Sequence, residues 1–175
     1  DDDQPDRVFP GLLERAGLDV AVRSSCVTIS SGMRWPQQRL CVDLAGNPDL
    51  APAVAVLAAV APCGVQVTGA PHLAAKESHR IEGLVRGLNK ACIPARALED
   101  GFRTRPAGHL IPTRIEDRGD HRLAMTGGVL ALLEPGIRTN HPSCVTKSWP
   151  TFWEDLSAWD RELTGTVGGA QDLRL

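Results

Sequence analysis

Three ionised groups and a hydroxyl fall within five residues at Lys76-Glu77-Ser78-His79-Arg80. Beyond them Ile81, Leu84, Val85 and Leu88 are apolar at i, i+3, i+4 and i+7, the spacing of one helix face. The pattern predicts that the charged cluster forms the first turn of a helix running to about Ala91. Lys76 and Arg80 would then share a face, with Glu77 paired to Arg80. Cations are misplaced there. The amino end of a helix is already positive, so two of them belong together when an anion fills the space between them. A solvated, merely charged helix start explains the same residues, and only the rest of the chain can decide.

Three further stretches bear on that choice. Asn47-Pro48-Asp49 puts a carboxylate just before a very apolar helix, where it reads as a simple N-cap or as a functional acid. Gly119-Asp120-His121-Arg122 places an acid at a cap and two potential cations in the turn that follows. Asp120 reads as the cap, Arg122 repeats the oddity of Arg80, and His121 reads as a packing residue or a substrate contact. Lys147 stands in the loop Val145-Thr146-Lys147-Ser148-Trp149-Pro150, ahead of the last helix. A lone loop lysine usually faces solvent.

These groups need elements to hold them, and 175 residues with 42% apolar content suffice for a core. Helices are expected at about Asp6–Ala16, Ala51–Ala61, Glu77–Ala91, His121–Leu133 and Pro150–Leu163. Strands are expected at Asp19–Arg23, Cys26–Ser30, Leu40–Asp43, Val65–Thr68, Ala95–Leu98, Phe102–Thr104, Ile111–Ile115 and Ile137–Thr139. One domain over residues 1–163 would leave residues 164–175 as a Gly-rich, loose tail. The order helix, two strands, strand, helix, strand occurs twice, from Asp6 to Thr68 and from Glu77 to Thr139. Pro48-Asp49-Leu50-Ala51-Pro52-Ala53 is echoed by Gly119-Asp120-His121-Arg122-Leu123-Ala124. A period of roughly 70 residues is too long for a solenoid repeat but suits a duplicated module, in an α/β or α+β fold.

Composition excludes other classes. A net charge of −2 with dispersed signs lacks the basic stripe of a nucleic-acid binder. No apolar run reaches the length of a membrane span, and Asp1-Asp2-Asp3 does not suit the start of a signal peptide. Five scattered cysteines (Cys26, Cys41, Cys63, Cys92 and Cys144) without a CxxC pair fit free thiols in a cytoplasmic protein, with no zinc site.

Together the motifs resemble a family. Pro48-Asp49-Leu50-Ala51-Pro52-Ala53, Lys76-Glu77-Ser78-x-Arg80, Gly119-Asp120-His121-Arg122-x-Ala124-Met125 and Lys147-Ser148-x-Pro150-x-Phe152 have the order and spacing of 3-phosphoshikimate 1-carboxyvinyltransferase, or EPSP synthase. The likeness spans about residues 4 to 156. The family's members are two-domain enzymes more than twice this long, each domain built from repeated βαββαβ units. This chain is similar to most of the C-terminal domain. The resemblance implies transfer of the enolpyruvyl group of phosphoenolpyruvate to the 5-hydroxyl of shikimate 3-phosphate, with no metal or organic cofactor. It places that reaction in the cytoplasmic route to aromatic amino acids.

The same resemblance gives the odd residues roles. Arg80, Arg122 and Lys147, with His121, would bind phosphoenolpyruvate. Glu77 would protonate the methylene carbon and later take the proton back, while Asp49 binds and deprotonates the shikimate hydroxyl. Lys76 would hold shikimate 3-phosphate and steady developing charge. Two departures stand out: His79 where the family usually has Asp, and Ala91-Cys92 where it tends to end the helix with Gly. An N-terminal domain, in cis or in trans, would have to supply the other wall of the cleft. A degenerate anion-binding module without turnover, or an enolpyruvyl transferase acting on a nucleotide sugar, are the competing readings.

Overall fold

Each half of the chain builds a parallel strand–helix–strand pair. A hairpin from the second half adds to the first half's pair in a four-stranded sheet, while the second half's pair is a separate two-stranded sheet. The computed structural model describes residues 5–23, 26–30, 34–75 and 79–165. The first copy consists of α1 (Phe9–Arg15), the hairpin β1 (Asp19–Arg23) and β2 (Cys26–Ser30), then β3 (Leu40–Asp43), α2 (Ala51–Val60) and β4 (Val65–Thr68). The second repeats the order with α3 (Arg80–Lys90), β5 (Ala95–Leu98), β6 (Gly101–Thr104), β7 (Arg114–Ile115), α4 (His121–Ala131) and β8 (Arg138–Thr139). Helix α5 (Phe152–Gly165) follows. The fold is mixed α/β, and the duplication expected from the sequence is present.

β3 and β4 run parallel, with Leu40 opposite Val65 and Asp43 opposite Thr68. β7 and β8 do the same through Ile115 and Thr139. The hairpin β5–β6 then adds to β4 in antiparallel sense, giving the four-stranded order β3-β4-β6-β5. Gly101 makes that approach possible, since a Cβ there would lie 2.1 Å from the Val67 carbonyl oxygen. Thr104, fully buried, closes the seam: its Oγ1 accepts from the Val65 amide at 2.9 Å. Phe102, Val65, Val67, Val54, Leu88 and Ile93 fill the core between sheet and helices. Burying such side chains stabilises by about 1.5–3 kcal/mol each.

Several expected boundaries shift, for local reasons. The first helix splits into a 3-10 turn, Pro5–Val8, followed by α1, which has a proline in its first turn. Another 3-10 turn, Pro71–Ala75, precedes α3. α3 itself opens at Arg80, not at Lys76 or Glu77, and Lys76–Ser78 lie outside the described residues. The strand expected over Ile111–Ile115 keeps only Arg114 and Ile115, since Pro112 has no N–H for a ladder. The last helix begins at Phe152, beyond Pro150, and the expected tail lies outside the described residues from 166 onward.

The two copies end their first helices alike, and only one does so at low cost. Gly17, after α1, has φ of +94°, and Cys92, after α3, has φ of +63°. Both sit in the left-handed region, where a side chain costs about 1–2 kcal/mol. Gly17 is additionally pressed against the Arg34 carbonyl oxygen, 2.0 Å from where a Cβ would stand. Cys92→Gly should therefore raise stability by about 0.5–1 kcal/mol, net of the extra freedom glycine gives the unfolded chain. Gly17→Ala should lower it by more than that. Urea unfolding of the two variants, with opposite midpoint shifts expected, checks both.

Candidate functional site

Three helices point their amino ends at one place. α2 and α4 follow the carboxyl ends of β3 and β7, and α3 enters beside them. Side chains from all three meet there. Arg80, the first residue of α3, is only 2% exposed. Its Nε donates to Asp120 Oδ2 at 2.9 Å and its Nη2 to Asp120 Oδ1 at 3.3 Å, a two-pronged contact. Its Nη1 donates to Asp49 Oδ1 at 3.1 Å. Arg122 approaches Asp49 from α4, donating to Oδ2 at 3.2 Å and to the backbone carbonyl at 3.1 Å. Two guanidiniums and two carboxylates thus alternate in one cluster.

Asp120 has a second duty. Fully buried, it caps α4 through its Oδ1, which accepts from the Arg122 amide at 3.0 Å and the Leu123 amide at 3.4 Å. The cap expected from the sequence is there, and it is also the counter-ion of Arg80. Between Arg80 and Arg122 the anion belongs to the protein itself, as Asp49.

The remaining candidates divide. His121, half-buried, is the first residue of α4. Lys147 ends a 3-10 turn, Pro142–Lys147, rather than standing in an open loop, and its side chain is exposed. That turn is held against α4 by buried Val145, which packs with Ala124, Phe152 and Leu156. Lys76 and Glu77 lie outside the described residues. His79 takes the N-cap position of α3 without a side-chain cap bond, and its ring lies 3.8 Å from Glu82. Among the described residues no cluster of His, Cys, Asp and Glu could hold a metal ion, all five cysteines are free thiols, and no helix is long and apolar enough to cross a membrane.

One pairing beside the site had no sequence signal. Asp117, fully buried, accepts from the amides of Gly119 (2.9 Å), Asn140 (2.7 Å) and His141 (2.8 Å), and meets His141 Nδ1 at 2.7 Å. It staples the turn before α4 to the segment that leads into the Lys147 turn. Burial pushes its pKa up, but the amide and imidazole bonds outweigh that and hold the carboxyl below the usual aspartate range. Neighbouring Glu116 is also lowered, by its bond to Lys90 and the charge of that ammonium.

Fold and site together define a duplicated α/β module that gathers arginines and aspartates where helix amino ends converge. Residues 5–156 match the family model of EPSP synthase (3-phosphoshikimate 1-carboxyvinyltransferase), and the chain belongs to that family. It is 37% identical over 153 residues to the 3-phosphoshikimate 1-carboxyvinyltransferase of Syntrophobacter fumaroxidans, a match that covers 86% of this chain and 36% of that protein. The enzyme of the same name from Aquifex aeolicus is 41% identical over 109 residues, covering 62% of this chain and 25% of its own length. An EPSP synthase structure from Acinetobacter baumannii superposes with a TM-score of 0.65 at 24% identity, over 86% of this chain and 38% of that one. The last comparison concerns fold alone. This chain therefore spans about a third of the length of the relatives it matches.

The geometry ranks two substitutions that looked equivalent in sequence. Arg80→Ala leaves the buried Asp120 without its guanidinium and should cost about 3–5 kcal/mol of stability. Arg122, with a side chain 35% exposed, should cost about 1 kcal/mol or less on truncation. Chemical denaturation of both variants measures the gap. Asp117 gives the acid dependence. Its folded pKa lies below the unfolded one, so its contribution is complete above about pH 4 and is lost as pH falls through the folded value. Asp117→Asn should lose about 2–3 kcal/mol at neutral pH and flatten the decline of stability below pH ~4. An unchanged acid profile would contradict that role.

Proposed function

We propose that this chain is the phosphoenolpyruvate-side, C-terminal portion of a 3-phosphoshikimate 1-carboxyvinyltransferase. The observation that carries the reading is the meeting of Arg80 and Arg122 with Asp49 at three helix amino ends, in a chain of this family. Fixed guanidiniums there suit a small substrate bearing a carboxylate and a phosphate. In the reaction proposed, the 5-hydroxyl oxygen of shikimate 3-phosphate bonds to C2 of phosphoenolpyruvate as Asp49 takes its proton. The methylene carbon accepts a proton from Glu77. The methyl group then returns that proton to Glu77, the C2–O bond to phosphate breaks, and phosphate leaves with the proton that Asp49 had taken.

In this reading Arg122, Lys147 and His121 hold phosphoenolpyruvate, and Arg80 contributes from beneath while anchoring Asp120. Lys76 holds shikimate 3-phosphate beside Asp49. A second domain, in cis or in trans, closes the cleft and excludes water. Residues 1–163 form one unit of that assembly, in the cytoplasm, and no metal or organic cofactor takes part. The chain alone should release no phosphate from phosphoenolpyruvate and shikimate 3-phosphate, and measurable turnover would overturn the requirement for a second wall.

Anion binding tests the site directly. Millimolar phosphoenolpyruvate should stabilise the chain by about 1–3 kcal/mol in thermal melts at low salt, and by less as salt is added. Arg122→Ala should remove the shift. Arg161→Ala, exposed on α5, should keep it. A midpoint that does not move in the unsubstituted chain, or moves equally in all three, would exclude a shared anion site.

A further inference from the structure

Of the two carboxylates facing Arg80, one is buried and the other partly exposed. Asp120 is buried and caps α4, so moving it would open a helix end. Asp49 has a side chain 37% exposed and rides on a three-residue 3-10 turn, Pro48–Leu50. Its two oxygens are divided between the arginines, Oδ1 to Arg80 at 3.1 Å and Oδ2 to Arg122 at 3.2 Å. A carboxylate spanning two guanidiniums stands where an incoming carboxylate or phosphate would be received. A cleft of about 240 Å³ opens alongside, between α2 and α4, with Asp49 and Arg122 in its lining.

We propose that Asp49 is an internal stand-in for the anionic ligand, holding Arg80 and Arg122 until the ligand's anionic group arrives and then leaving them. This rests on the anion site of the proposed function and adds a competitor built into the chain. A tethered carboxylate acts at high effective concentration, so it weakens the apparent affinity for any free anion. The bond from Arg122 to the Asp49 carbonyl does not involve the carboxylate, so it can keep Arg122 oriented during the exchange. Asp120 stays on Arg80 throughout, so withdrawal of the Asp49 carboxylate leaves the excess positive charge on the Arg122 side of the cluster, in a partly buried place. The stand-in therefore stabilises the empty fold at the expense of affinity.

The prediction runs opposite to the ordinary one for a binding-site residue: neutralising Asp49 should tighten binding. Titration calorimetry on the full chain at low ionic strength, with phosphoenolpyruvate and separately with inorganic phosphate, reads it. Asp49→Asn, which keeps the shape and removes the charge, should bind about tenfold more tightly than the unsubstituted chain. Adding Arg122→Ala should abolish the gain. Asp49→Ser is a second variant, expected to move in the same direction. If either unfolds in plain buffer, refolding by millimolar phosphate supports the stand-in and failure to refold overturns it. Equal or weaker binding by both variants, while the unsubstituted chain binds, overturns the stand-in and leaves the anion site intact. Binding by none of the chains removes the anion site, and the stand-in with it.

Discussion

A guanidinium buried to 2% exposure cannot stay charged without partners, and Arg80 finds them on both sides. Asp120 comes from the turn before α4 and Asp49 from the turn before α2, so its neutralisation requires both βαβ pairs to be in place. Desolvating one such ion costs several kcal/mol, and good geometry with all oxygens engaged is what offsets it. The hairpin β5–β6 serves the same end by another route. By bonding to β4 it fixes the first copy against the second, and the helix amino ends are brought together as a result.

Much of this architecture is legible in the chain itself. Alternating strands and apolar helix faces mark most elements within a residue or two, and the duplicated order survives translation into structure. Pairing between the copies is different. That β6 would lie on β4 depends on Gly101 having no side chain to keep it from Val67, a contact between residues far apart in sequence. Short 3-10 turns were also hidden, because a proline at a helix start fits an α-helix equally well.

At the site, types and spacing were legible while partnership was not. The sequence marked Arg80 and Arg122 as cations in the wrong place, and they do meet at helix amino ends. It could not show that Asp49 reaches across to both, because that depends on how α2 lies against α4. Asp117 is the extreme case. Three of its four partners are backbone amides, which no side-chain pattern announces, and two of those lie more than twenty residues away, at Asn140 and His141.

The duplicated order brings the starts of α2 and α4 to one place, where the charges are of opposite sign. Leu50, Ala51, Leu123 and Ala124 are all buried where these helices begin. Asp49 and Arg122, each one residue ahead of such a pair, meet across the boundary. Like charges there would repel. Opposite charges let the two halves pack, and they do so by bonding to each other. A site on that boundary belongs to neither copy alone, and its chemistry can change while both cores stay as they are.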